Sequence, residues 1–135
     1  MKARFRSNQA GTAALEFAII SPAMIVLVFG AITAGVAFWT KNALQDTAQE
    51  TARCAAIASS NCATAGSGCD SANPAICYAE QIAQQRGISQ LSASNVSVNS
   101  NASYAGASFT VVTINYTVAM AGYSYTFSAN ASFPN

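Results

Sequence analysis

From Phe17 to Trp39 twenty-three residues pass without a charged side chain. Wound as a helix at ~1.5 Å per residue, this run is about 34 Å long, enough to cross a hydrocarbon core of ~30 Å. The chain's 52% hydrophobic content is inflated by this one segment. Before it, Met1 to Gln9 holds Lys2, Arg4 and Arg6 and no acid. After it come Lys41, Asp46 and Glu50, which is no basic excess. The positive-inside rule therefore puts the N-terminus in the cytoplasm and everything after Trp39 outside, a single-pass arrangement. The rival is a cleavable secretory signal. Its apolar region is about 7–15 residues, shorter than this one, and a cut after Gly35-Val36-Ala37 would need an unusually long signal.

Composition narrows the chemistry. There is no His, which removes His-based nucleophilic triads and the commonest metal ligand. The five acids end at Glu80, and beyond Arg86 no side chain carries a formal charge. Few acid–base constellations can be assembled from such a set, so the sequence predicts no enzyme, no cofactor and no metal. The six basic residues are scattered, three of them within the first six positions, and nucleic acid is not an expected partner.

Glu16 stands at the entrance of the apolar run. A carboxylate at the centre of a membrane helix costs roughly 2.5–3.5 kcal/mol on insertion scales, and less near the interface. One reading is a side chain snorkelling to the headgroups. The other is a charge awaiting a buried cation, and a free α-amino group made by cutting the chain just before the helix would serve. Gly11 followed by Thr12-Ala13-Ala14-Leu15-Glu16-Phe17 resembles the processing site of pilins and pseudopilins of the type IV filament superfamily, where a basic leader ends in Gly and Glu is the fifth mature residue. Glu16 followed by the aromatic Phe17 is similar to the Flp/Tad variant. The longer run G-T-A-A-L-E-F-A-I-I-S-P, with Pro22 and an apolar span ending near Phe38, resembles the TadE-like proteins.

The resemblance implies a membrane-bound aspartic prepilin peptidase that cuts between Gly11 and Thr12. It divides the chain into a leader (1–11), a transmembrane and assembly helix (12–40) and an exported domain (41–135). The 124-residue mature product (135 − 11) is longer than the family's major pilins and is expected to be a minor pseudopilin. Its expected partners are other pilin and pseudopilin subunits, the inner-membrane assembly platform and membrane lipid, with the domain in the periplasm of a bacterium. The new Thr12 amine would pair with the Glu16 of a neighbouring subunit, favouring axial register. Pro22 removes one helical hydrogen bond and either kinks the membrane helix tolerably or softens it for assembly. Gly30/Ala34 and Ala31/Gly35 are small-residue pairs at a spacing that permits close helix approach.

Beyond Trp39, Lys41 to Ala58 has no Gly or Pro, and Leu44, Ala48, Ala52, Ala55 and Ala56 form a thin apolar stripe at helical spacing. The helix is expected to continue unbroken to about Ser59. A loop follows, then a helix from Pro74 to Arg86 with Ile76, Ala79, Ile82 and Ala83 inside and Gly87 as its stop. Cys54, Cys62, Cys69 and Cys77 fit no zinc or thioredoxin spacing, and an even count outside a membrane reads as disulfides. Of the three connectivities, Cys54–Cys77 with Cys62–Cys69 is the favoured expectation. Asn95 to Val98 is a candidate short strand and Ser108 to Met120 a stronger one. Its apolar phase switches at Val111-Val112, which predicts a bulge or a strand buried on both sides. Tyr123, Tyr125, Phe127, Ala131 and Phe133 then alternate with polar residues. The predicted fold is α+β: a long N-terminal helix, a second short helix and a small antiparallel sheet, pilin-like.

Two functions follow. The first is a structural minor pseudopilin assisting the assembly or initiation of Flp/Tad pili. The second is a membrane-anchored extracytoplasmic binding or adhesin module whose helix is an uncleaved signal anchor.

Overall fold

The computed structural model describes residues 9–57, Cys62, 74–120 and 122–135. The leader lysine and arginines, Cys69 and most of the loop before Pro74 lie outside the described residues. The fold is α+β, in the order α1 (Gln9–Ile57), α2 (Pro74–Gln85), a 3-10 turn (Ala93–Asn95), β1 (Val96–Tyr104), β2 (Ala107–Met120) and β3 (Tyr123–Pro134). The chain divides into two units, Met1–Ala37 and Phe38–Asn135, and α1 contributes to both.

In the second unit, α1 buries Leu44, Ala48, Ala52 and Ala55 of the expected stripe, leaves Ala56 half-buried, and adds Thr40, Thr47 and Thr51 to it. Thr47 fits inside because a helical Thr can return its hydroxyl to its own backbone: its Oγ1 donates to the Ala43 carbonyl at 2.7 Å, whereas the buried Thr51 hydroxyl has no hydrogen-bond partner among the described residues. Against the stripe lie Ala79 and Ala83 of α2 and Val96, Val112, Ile114 and Ala129 of the sheet. So many alanines let helix and sheet backbones approach closely and hold the core small.

Helix α2 starts at Pro74, whose missing N–H costs nothing in a first helical turn. It ends through Gly87 at φ +82°. There the Gly87 N–H donates to the Gln84 carbonyl (3.0 Å) and the Ile88 N–H to the Ala83 carbonyl (2.8 Å). These are the paired bonds of a Schellman cap, and the buried Ile88 supplies the apolar contact that accompanies it.

The sheet is antiparallel, ordered β1-β2-β3. Register between β2 and β3 is unbroken from Phe109↔Pro134 to Met120↔Tyr123. The phase switch in β2 is therefore no bulge on that side. Thr110, Val112 and Ile114 face the core, while Phe109 and Val111 lie half-buried on the opposite face of a central strand. The irregularity falls in β1, where Ser100 and Asn101 oppose Thr110 alone. Asn135 fills it: its amide donates to the Ser100 carbonyl (2.8 Å) and its Oδ1 accepts from the buried Thr110 hydroxyl (2.6 Å). Strand β1 also runs well beyond Val98, the end that apolar alternation had marked. Ala105 (φ 51°) and Gly106 (φ 82°) join β1 to β2 as a two-residue turn with both φ positive, the type I′ pattern.

The disulfide pairing differs from the favoured expectation. Cys54 is bonded to Cys62, eight residues on, which excludes both Cys54–Cys77 and Cys62–Cys69. Cys54 lies in the last turn of α1, and its Cα is 5.7 Å from that of Cys62, which the bond ties to the helix end. Cys77 is disulfide-bonded as well.

Candidate functional site

The first unit presents the segment with the most distinctive chemistry. Helix α1 already includes Gly11, so the residue stands in its first turn. A Cβ added there would meet no atom within 4 Å. Glycine in a helix costs about 1 kcal/mol relative to Ala, and no close approach among the described residues requires it. Thr12, Glu16 and Phe17 follow on the exposed helix surface. Among the described residues the ion pairs all belong to Arg86, and none reaches Glu16.

Pro22 lies inside α1, where the Ala18 carbonyl loses its helical donor. On both sides of it the apolar surface is open: Phe17, Ile19, Val26, Leu27 and Phe38 are each about 70% exposed. None of the most apolar eighteen-residue window is buried, and the helix is long and apolar enough to cross a membrane. The one hydroxyl in the middle of the run is satisfied internally, because Thr33 Oγ1 donates to the Phe29 and Gly30 carbonyls at 3.0 and 2.9 Å. A Cβ at Gly30 or Gly35 would also meet nothing, so both small-residue pairs are open to a neighbouring helix.

The second unit holds a polar clasp that sequence reading missed. Arg86 Nη2 lies 2.8 Å from Asp46 and 2.6 Å from Glu50, and Nη1 donates to Thr47 Oγ1 at 3.1 Å. The Tyr78 hydroxyl donates to the other Glu50 oxygen at 2.9 Å. Asp46 and Glu50 are one helical turn apart, and Arg86 is the last cation in the sequence; that pairing was the available signal. Burial, then the hydrogen bond to Glu50 and its negative charge, push the Tyr78 pKa up, against the opposing pull of Arg86. The clasp ties α2 to α1. Its members serve one another, and among the described residues no three His, Cys, Asp or Glu side chains gather as a metal site.

Comparison with known proteins follows the first unit. Residues 11–53 match the model of the TadE-like protein family. The match covers Gly11, Thr12, Glu16, Phe17 and Pro22 and stops before Cys54. No curated protein and no solved structure matches the chain.

Proposed function

With residues 11–53 TadE-like and carried on an exposed apolar helix, we propose that this Tad pilus-associated membrane protein is a minor pseudopilin, a structural and non-enzymatic subunit that assists the assembly or initiation of Flp/Tad pili. A prepilin peptidase cuts between Gly11 and Thr12. The N-terminus starts in the cytoplasm, the apolar part of α1 crosses the inner membrane, and residues 41–135 fold in the periplasm as one α+β domain. After the cut three basic and five acidic side chains remain, and the new Thr12 amine becomes the counter-charge of Glu16 in a neighbouring pilin-type subunit.

One observation carries this reading: Gly11 sits in a helical turn with empty space around it. The fold gives no reason for glycine there, whereas a protease does. Cleavage requires the first turn of α1 to unwind into an extended strand, and a residue that weakens the helix and has no side chain eases both unwinding and entry. Mass spectrometry of the mature protein from native membranes tests the reading. A start at Thr12 supports it, and a start at Met1 returns the chain to a binding module on an uncleaved anchor.

A further inference from the structure

Among the described residues strand β3 has one neighbouring strand, β2, and none pairs with its other edge. The Asn135 N–H donates to the Ser108 carbonyl, so odd-numbered residues of this strand turn their backbone groups toward β2. The Asn130 carbonyl instead accepts from Gln45 Nε2 of α1 at 2.8 Å, so even-numbered residues turn theirs outward. Gln45 occupies the edge at Asn130 and Pro134 ends it, so the uninterrupted outward N–H and C=O groups before Asn130 are those of Ser124, Thr126 and Ser128. This stretch also lies where β1 no longer reaches: β1 begins at Val96, opposite Ile114, so Asn115–Met120 and Tyr123–Ser128 form a ribbon of two strands. Two strands alone are marginally stable in water. The ribbon carries no charge, and its core-side face leaves Tyr123 70% and Tyr125 54% exposed.

We propose that this edge pairs antiparallel with the same edge of a second copy of the chain, on a twofold axis through Thr126. In that register polar residues meet polar ones and aromatic residues meet aromatic ones. Ser124 faces the partner's Ser128, Thr126 faces the partner's Thr126, and Ser128 faces the partner's Ser124, each a doubly hydrogen-bonded pair. Between them Tyr125 comes opposite the partner's Phe127, and Phe127 opposite the partner's Tyr125, in the closer non-hydrogen-bonded positions where aromatic cross-strand pairs gain most. A slip of one residue would set Ser or Thr against Tyr or Phe at every pair. The Thr117–Thr126 hydroxyl contact of 3.0 Å extends across the axis into a row of four threonines. The partner's Gly122 turn arrives opposite Asn130, at the open groove lined by Gln45, Gln49, Arg53 and Ser132. Edges meant to stay single usually carry Lys, Pro or a bulge; β3 has none before Pro134, while β1 has the bulge. The inference does not depend on cleavage at Gly11.

The test uses the full chain in detergent micelles. Light scattering corrected for bound detergent is expected to give twice the single-chain mass for the wild type, and Thr126→Lys, which sets two ammonium groups face to face, is expected to raise the dissociation constant at least tenfold. Thr126→Cys is expected to form a reducible dimer on mild oxidation, and Ser97→Cys, on the far strand, is not. A wild-type monomer throughout a dilution series overturns the proposal. So does a dimer that Thr126→Lys leaves intact, or an edge that captures a different exported subunit and not its own copy.

Discussion

The indole of Trp39 lies over the α-carbon of Gly87, so close that a Cβ there would stand 2.9 Å from ring atom Cη2. Gly87 thus serves twice, once through its φ of +82°, which closes α2, and once as the floor on which the Trp39 indole rests. Gly87→Ala is expected to destabilise the domain by at least about 1 kcal/mol from backbone strain alone, with the displaced indole adding to it. Thermal unfolding followed by Trp39 fluorescence should show a lower midpoint and an altered native spectrum. An unchanged midpoint would contradict this contact.

Tyr78 gives the domain a pH-dependent contribution on the alkaline side. The unfolded tyrosine ionises at its ordinary value of 10.0, while burial and Glu50 keep the folded one protonated to higher pH. The contribution is therefore complete below pH 10 and is lost as pH rises through the folded value. Tyr78→Phe should flatten the fall of stability above pH 10 and lower stability at neutral pH by about 1 kcal/mol, the worth of one hydrogen bond to a charged, partly exposed acceptor. Denaturant titrations across that range give both numbers.

Because Cys54 and Cys62 share one bond, replacing either with Ser should cost the same. For a loop of this size the chain-entropy model gives about 2–3 kcal/mol. A Cys54→Ser variant much weaker than Cys62→Ser would refute the pairing, since longer connectivities would make the two residues unequal.

Glu16→Gln separates anchoring from assembly. A snorkelling carboxylate is easier to insert when neutral, so its loss would be harmless. A carboxylate paired with a neighbour's amine leaves that amine uncompensated, at a cost of roughly 3–5 kcal/mol. The variant should insert and be processed normally yet fail to co-purify with other pilin-type subunits and fail to produce pili. Normal capture and normal piliation would remove Glu16 from the account.

What the sequence displayed and what it hid have physical reasons. Helix α2 was legible to within a residue because Pro74 and Gly87 act through the backbone itself. The buried Thr40, Thr47 and Thr51 were hidden, since a hydroxyl reads as solvent-facing in a sequence until its surroundings are known. In β2, Phe109 and Val111 obscured the core face because a central strand can carry apolar residues on both sides, and Thr110 stands inside only by virtue of Asn135. Strand β1 beyond Val98 has no apolar alternation; pairing with β2 forms it. The alternation of Tyr123 and Tyr125 was plain in the sequence, but their exposure was not, because it depends on where β1 stops. Disulfide connectivity had no signal beyond loop length, and the short loop prevailed. At the N-terminal end the reverse holds: Gly11, Glu16 and Phe17 are legible as a pattern, while the fold adds only that they are exposed on a helix.

The most direct test of the central claim is the mass of the mature protein recovered from native membranes, measured beside Gly11→Leu. The account predicts a wild-type chain beginning at Thr12 and a Gly11→Leu chain that keeps its leader, because a branched side chain neither unwinds as readily nor enters a site shaped for glycine. A wild-type chain beginning at Met1 or near Phe38, or the same mature mass for both proteins, would contradict it.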